Sequence, residues 1–106
     1  MSDPNTPRES VSKDPVTGTL LMRVANGTEA KAAASAIANF VRERKKITLL
    51  AMGAGAVNQA FKACAICRGL LAPEGLLLFI IPAFGDEFVD GKQKTIMRFI
   101  LSIQQG

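Results

Sequence analysis

The sequence predicts an α/β chain of the two-layer α+β kind: order βαβαββ, with a four-stranded mixed sheet carrying two helices on one face. Three observations predict it. Short apolar or alternating segments, of strand length, are interleaved with two longer segments of helical period. The first helical segment joins two strands, and a helical crossover makes such strands parallel and right-handed. The last two strand-like segments are separated by a polar stretch holding Gly85 and Gly91, which reads as a hairpin. A length of 106 residues suits one domain with one modest core.

Met1–Thr17 is rich in Pro, Ser, Thr, Asp and Asn, has no periodicity, and is expected to be a solvated tail or one docked on a partner. The domain proper is placed at 18–106. Gly18–Ala25 alternates, with Leu20, Met22 and Val24 on one side, and is the first strand. Thr28 is the expected N-cap of a helix that runs to about Lys45, with Glu29 favouring its dipole. Ala30, Ala33, Ala34, Ile37 and Val41 share one face of that helix, and its small alanines predict close packing.

Ile47–Met52 is a nearly continuous apolar strand, as expected where a sheet is covered. A second helix is expected from about Gly55 to Leu71, with a core stripe of Val57, Ala60, Phe61, Cys64, Cys67 and Leu71. Ala63, Ile66 and Leu70 lie off that stripe and are apolar too, so this helix should be buried on two sides. Leu76–Phe84 is the third strand, with Pro82 marking an edge or a bulge. The stretch 85–94 is expected to be a hairpin loop, and Thr95–Gln104 the fourth strand. The helix-free face would carry Leu21, Ile96 and Ile100 beside Arg23 and Arg98. That much spare apolar surface on a small domain predicts a homodimer or a higher homo-oligomer.

Composition closes most routes to catalysis. The chain has no His, Trp or Tyr, so no imidazole acid, base or metal ligand is available. Two cysteines cannot supply a four-thiolate zinc site. No carboxylate pair or nucleophile–base pair stands out, so no enzyme, no metal and no cofactor are expected. The longest apolar run, Leu76–Ile81, is far short of the ~20 residues of a membrane helix. The N-terminus lacks a signal-peptide core, and its acidic residues argue against a transit peptide. The chain carries +4 and its first seventeen residues −1, so the remainder carries about +5, compatible with a nucleic-acid partner.

The densest stretch is Gly53–Gly75, "GAGAVNQAFKACAICRGLLAPEG". Gly53, Ala54 and Gly55 bend a strand into a helix. They could aim backbone N–H groups at an anion, or serve only as a tight turn for close packing. The junction lacks the Lys-Ser/Thr of a P-loop and the third Gly of a dinucleotide fingerprint. Cys64 and Cys67 sit mid-helix on the apolar stripe, away from the helix start where redox pairs are activated. They read as buried free thiols in a reducing compartment, hence the cytoplasm. Arg42, Arg44, Lys45 and Lys46 complement the dipole of the first helix or form a phosphate-contacting patch.

This stretch resembles the signature of the stage V sporulation protein S family. Gly53, Ala54, Gly55, Ala56, Asn58, Gln59, Ala60, Lys62, Ala63, Arg68, Gly69, Ala72, Pro73 and Gly75 fit it, as do Ile81–Phe84 and Asp90–Gly91. That family resembles the chromatin protein Alba in its fold. The resemblance implies a sheet order of first, second, fourth, third strand, dimerisation and binding of DNA or RNA. Alba-type domains tend to be basic in the first strand–helix loop and at the second junction, where this chain has Asn26–Thr28 and Gly53–Gly55. The expectation is therefore a non-enzymatic, dimeric regulatory domain that binds nucleic acid weakly, through phosphates. Lys62, Arg68, Lys92, Lys94 and Arg98 would supply charge, and Asn58 and Gln59 hydrogen bonds. An adaptor that docks onto other proteins through its scaffold and tail is the alternative.

Overall fold

The computed structural model describes residues 10–105. The elements are β1 (Val11–Lys13), β2 (Leu20–Val24), α1 (Ala30–Arg42), β3 (Ile47–Ala51), α2 (Ala54–Leu71), a single 3₁₀ turn at Ala72–Glu74, β4 (Leu76–Val89) and β5 (Lys92–Gln105). They form a two-layer α+β structure with two helices over a mixed sheet of order β1-β2-β3-β5-β4. β2 and β3 are parallel, and every other neighbouring pair is antiparallel.

The sheet has five strands, which corrects the expected four. The four expected strands do lie in the order first, second, fourth, third, and the fifth is added at the edge by Val11–Lys13. These three residues fall in the stretch read as a solvated tail. Met1–Glu9, the rest of that stretch apart from Ser10 and 14–17, lie outside the described residues. A three-residue strand is too short to show a period, and its register is imposed by β2: Val11 faces Met22 and Lys13 faces Leu20. Asp14 then accepts from the N–H groups of Val16 and Thr17 through its side chain, which turns the chain back into β2.

A second correction concerns the hairpin. Residues 85–94, read as a loop, are mostly strand: β4 and β5 pair continuously from Leu76↔Gln105 to Val89↔Lys92. Only Asp90 and Gly91 form the turn, with φ 53° and 77°. Two left-handed residues in a row make the two-residue turn whose twist matches the strands, and Asp-Gly is a preferred pair for it. Pro82 sits on β4, an edge strand, where a missing N–H breaks no ladder.

The first helix also differs at both ends. Its N-cap is Glu29, whose carboxylate accepts from Lys31 N–H at 2.9 Å, while Thr28 Oγ1 accepts from Ala25 N–H. It stops at Arg42, three residues earlier than expected. Arg44 N–H reaches Val41 O and Lys45 N–H reaches Phe40 O, with Arg44 at φ 61°. That is a Schellman closure with an arginine where glycine is usual, so no glycine marks the stop in the chain.

The core lies between the sheet and the helices. Met22, Leu49 and Phe99 line up across β2, β3 and β5 and are at most 1% exposed. All five predicted face residues of α1 are buried, with Ala32 and Ala38 besides. Small side chains there let α1 lie close along α2. α2 buries Ala56, Ala60, Ala63, Cys64, Cys67 and Leu71. Ala63, expected off the core stripe, is thus fully buried with it, while Phe61, expected inside, is 53% exposed. The second apolar side of α2 is therefore partly covered within the chain itself. Phe61 still packs edge-on against Phe99, with ring centroids 5.0 Å apart. No helix among the described residues is long and apolar enough to cross a membrane.

Candidate nucleic-acid interface

The seven candidate contact residues divide into two groups on opposite layers. The first group is on α2. Gly53 holds φ 90°, a backbone state costly for any side chain, and turns the chain from β3 into the helix. Gly55 has a different role: a Cβ there would stand 2.0 Å from Asn26 Oδ1. The loop after β2 therefore packs directly onto the first turn of α2. Gln59 ties it down further, donating from Nε2 to Thr28 O at 2.7 Å. So Gln59 is engaged inside the fold, and the Gly-Ala-Gly junction is occupied by packing on the Asn26 side. Asn58 and Lys62, one turn apart, are exposed on the outer stripe of α2. Arg68 is exposed too, but ten residues, about 15 Å, further along the helix from Asn58.

The second group is on β5. Lys92, Lys94 and Arg98 alternate with Gln93, Thr95, Met97 and Phe99, so they project from the face opposite Phe99, where no helix lies. Beyond Met97 and Ala51, the β4–β5 hairpin runs on without β3 as a projecting arm. The arm curls over the helix-free face. Its Glu87 forms an ion pair with Arg23 of β2, although β3 and β5 lie between their strands (Arg23 Nη1 to Glu87 Oε1, 3.0 Å). The curl explains why Ile96, on the helix-free face, is only 5% exposed. Arg98 lies flat across the arm: a Cβ at Gly85 would meet its Cδ at 2.8 Å. The paired carboxylate holds the Arg23 guanidinium above its ordinary pKa.

Both faces of the arm are therefore defined. Phe84 and Phe88 lie on the helix side, each 78% exposed, with Asp86 between them. Lys92 and Lys94 lie on the other side. Two of the three acids of this hairpin are segregated from its lysines, since Asp86 faces the helix side and Glu87 is held by Arg23, while the third, Asp90, sits in the turn. Arg23 was no candidate from the sequence, because nothing local links residue 23 to residue 87. Among the described residues no group of acids and cysteines could hold a metal ion.

Cys64 and Cys67 are free and buried. Burial first, and the neighbouring Cys67 second, push the Cys64 thiol up to about 12. Burial raises Cys67 to about 11, with Arg42 pulling the other way. Both thiols are protonated at neutral pH and inert. Arg42 itself clasps Glu74, Nε and Nη2 donating at 3.0 and 2.6 Å, and its Nη1 reaches Asn39. It pins the end of α1 to the turn after α2.

The fold and its exposed arm define a two-layer α+β domain with a basic strand face and an apolar one. A comparison with known protein families matches residues 20–104 to stage V sporulation protein S. The chain belongs to that family.

Proposed function

We propose that this is a non-enzymatic nucleic-acid-binding domain of regulatory role, which self-associates and grips phosphates with the basic face of its hairpin arm. One observation carries the reading: charge on the arm is sorted by geometry. Lys92, Lys94 and Arg98 share one face, and the acid on that face, Glu87, is already paired with Arg23. Asn58 and Lys62 stand on the helix layer at the same pole and would contact phosphate from the other side. The exposed apolar residues, Phe61, Phe84 and Phe88 on the helix side and Phe79 and Ile81 on the helix-free side, support self-association.

The test is anisotropy of labelled DNA duplex and single-stranded RNA across a salt series. For duplex DNA each phosphate contact contributes ~0.9 to the slope of log K against log salt, so Lys92→Ala with Lys94→Ala should lower it by about 2. Absence of binding at low salt, or a slope the double variant leaves unchanged, overturns the reading. Phe84 and Phe88 favour a second one, an adaptor whose arm docks on protein through its apolar face. Phe88→Ser would then abolish a protein partner while leaving nucleic acid unaffected.

A further inference from the structure

At the pole opposite the arm the sheet splits. β5 pairs with β4 along its whole length, but with β3 only from Met97 to Ile100. Its last residues, 101–105, have no strand on the β3 side, because the chain before Ile47 turns off into the closure of α1. The gap is a cleft of about 1100 Å³. One wall carries Arg42, Arg44, Lys45 and Lys46; the other carries Ser102, Gln104 and Gln105. Apolar side chains of β3, β4 and β5, among them Ile47, Ile81 and Ile100, line most of the rest, and the one acid at its rim, Glu74, is paired with Arg42.

Three observations separate this cleft from a merely solvated basic surface. Arg42 is paired with Glu74 and Lys45 with Glu43, but Arg44 and Lys46 have no partner among the described residues. Thr48 lines the cleft, is 3% exposed, and its hydroxyl makes no hydrogen bond among the described residues. A buried polar group without a partner calls for an explanation, and a ligand atom is one. Arg44 occupies the left-handed position of the α1 closure, at φ 61°, and that closure fixes its backbone at the wall of the cleft.

We propose that this cleft binds a nucleotide-sized organic phosphate. Arg44 and Lys46 take the phosphates, and Thr48, Ser102 and Gln104 meet the sugar or base edge. The apolar lining of β3 and β5 receives the base. The volume and the mix of apolar lining with a few convergent polar groups suit such a ligand. The site lies at the other end of the sheet from the arm, and does not rest on nucleic-acid binding there.

The test is a titration of the ¹⁵N-labelled full chain with ATP, adenosine and pyrophosphate at low salt. ATP should shift residues 44–48 and 101–105 with a Kd on the order of 1 mM or tighter. Adenosine and pyrophosphate should move the same residues more weakly. Arg44→Gly suits the left-handed backbone, and Thr48→Val is isosteric and removes the unpaired hydroxyl, so both should keep a folded spectrum. Arg44→Gly should weaken ATP by about tenfold, as loss of one charge-assisted contact does; Thr48→Val should weaken it by less. The proposal is overturned by no shifts at about 10 mM ATP, by shifts confined to the arm, or by variants that fold and bind as the parent does. It is equally overturned if a short DNA duplex moves the cleft residues more strongly than ATP.

Discussion

Alanine at Gly55 tests what the glycine-rich junction is for. The new Cβ would stand 2.0 Å from Asn26 Oδ1, 2.7 Å from its Cγ and 3.3 Å from its Cβ. The amide would have to swing away, and even then the loop must yield slightly. Overpacking of this kind costs about 1–3 kcal/mol. Against it, Ala is better than Gly in a helix interior by about 1 kcal/mol, and less at the second residue of α2. Gly55→Ala should therefore lower stability by about 1 kcal/mol in the parent chain. In an Asn26→Ala background the two worst contacts are gone, and the same change should be neutral or stabilising by up to ~1 kcal/mol. Urea denaturation of the four proteins gives the coupling, expected at about 1–2 kcal/mol. Equal effects of Gly55→Ala in both backgrounds would refute the packing argument. If that came with a loss of anion binding, the glycine would instead be keeping space for a phosphate.

Two further outcomes follow from the buried and paired groups. With thiols at about 12 and about 11, Cys64 and Cys67 expose little thiolate at pH 8, roughly 10³-fold and 10²-fold less than an ordinary thiol. A disulfide-exchange reagent should leave the native protein unmodified over the time that completes both reactions in urea; native rates within about tenfold of a free thiol would mean α2 is not seated. The Arg42 guanidinium holds the Glu74 carboxyl below its ordinary range. Its folded state thus binds fewer protons than the unfolded one as pH falls. The stability it contributes is complete above the ordinary carboxylate range and is lost as pH drops through the lowered folded value. Glu74→Gln should flatten that part of the acid limb in a stability–pH series, and an unchanged limb would show the clasp to be thermodynamically silent.

The sequence by itself determined the local elements and most of the inward faces. Ala30, Ala33, Ala34, Ile37 and Val41 repeat at helical spacing, and Leu20, Met22 and Val24 alternate, because burial against a layer imposes a period on the chain. The inert thiols were legible for the same reason, since Cys64 and Cys67 fall on the buried stripe. What only the tertiary structure decided is pairing, register and coil of the sheet. Val11–Lys13 becomes a strand through the edge offered by β2. Residues 85–94 become an arm through pairing with each other. Glu87 meets Arg23 because the sheet coils. Arg44 and Lys46 face Ser102 and Gln104 because β5 outruns β3. The first two pairings are local, but three residues are too few to show a period, and the Asp90-Gly91 turn signal does not say how far its strands pair. The last two couple residues far apart in sequence through twist and register, quantities that belong to the sheet as a whole.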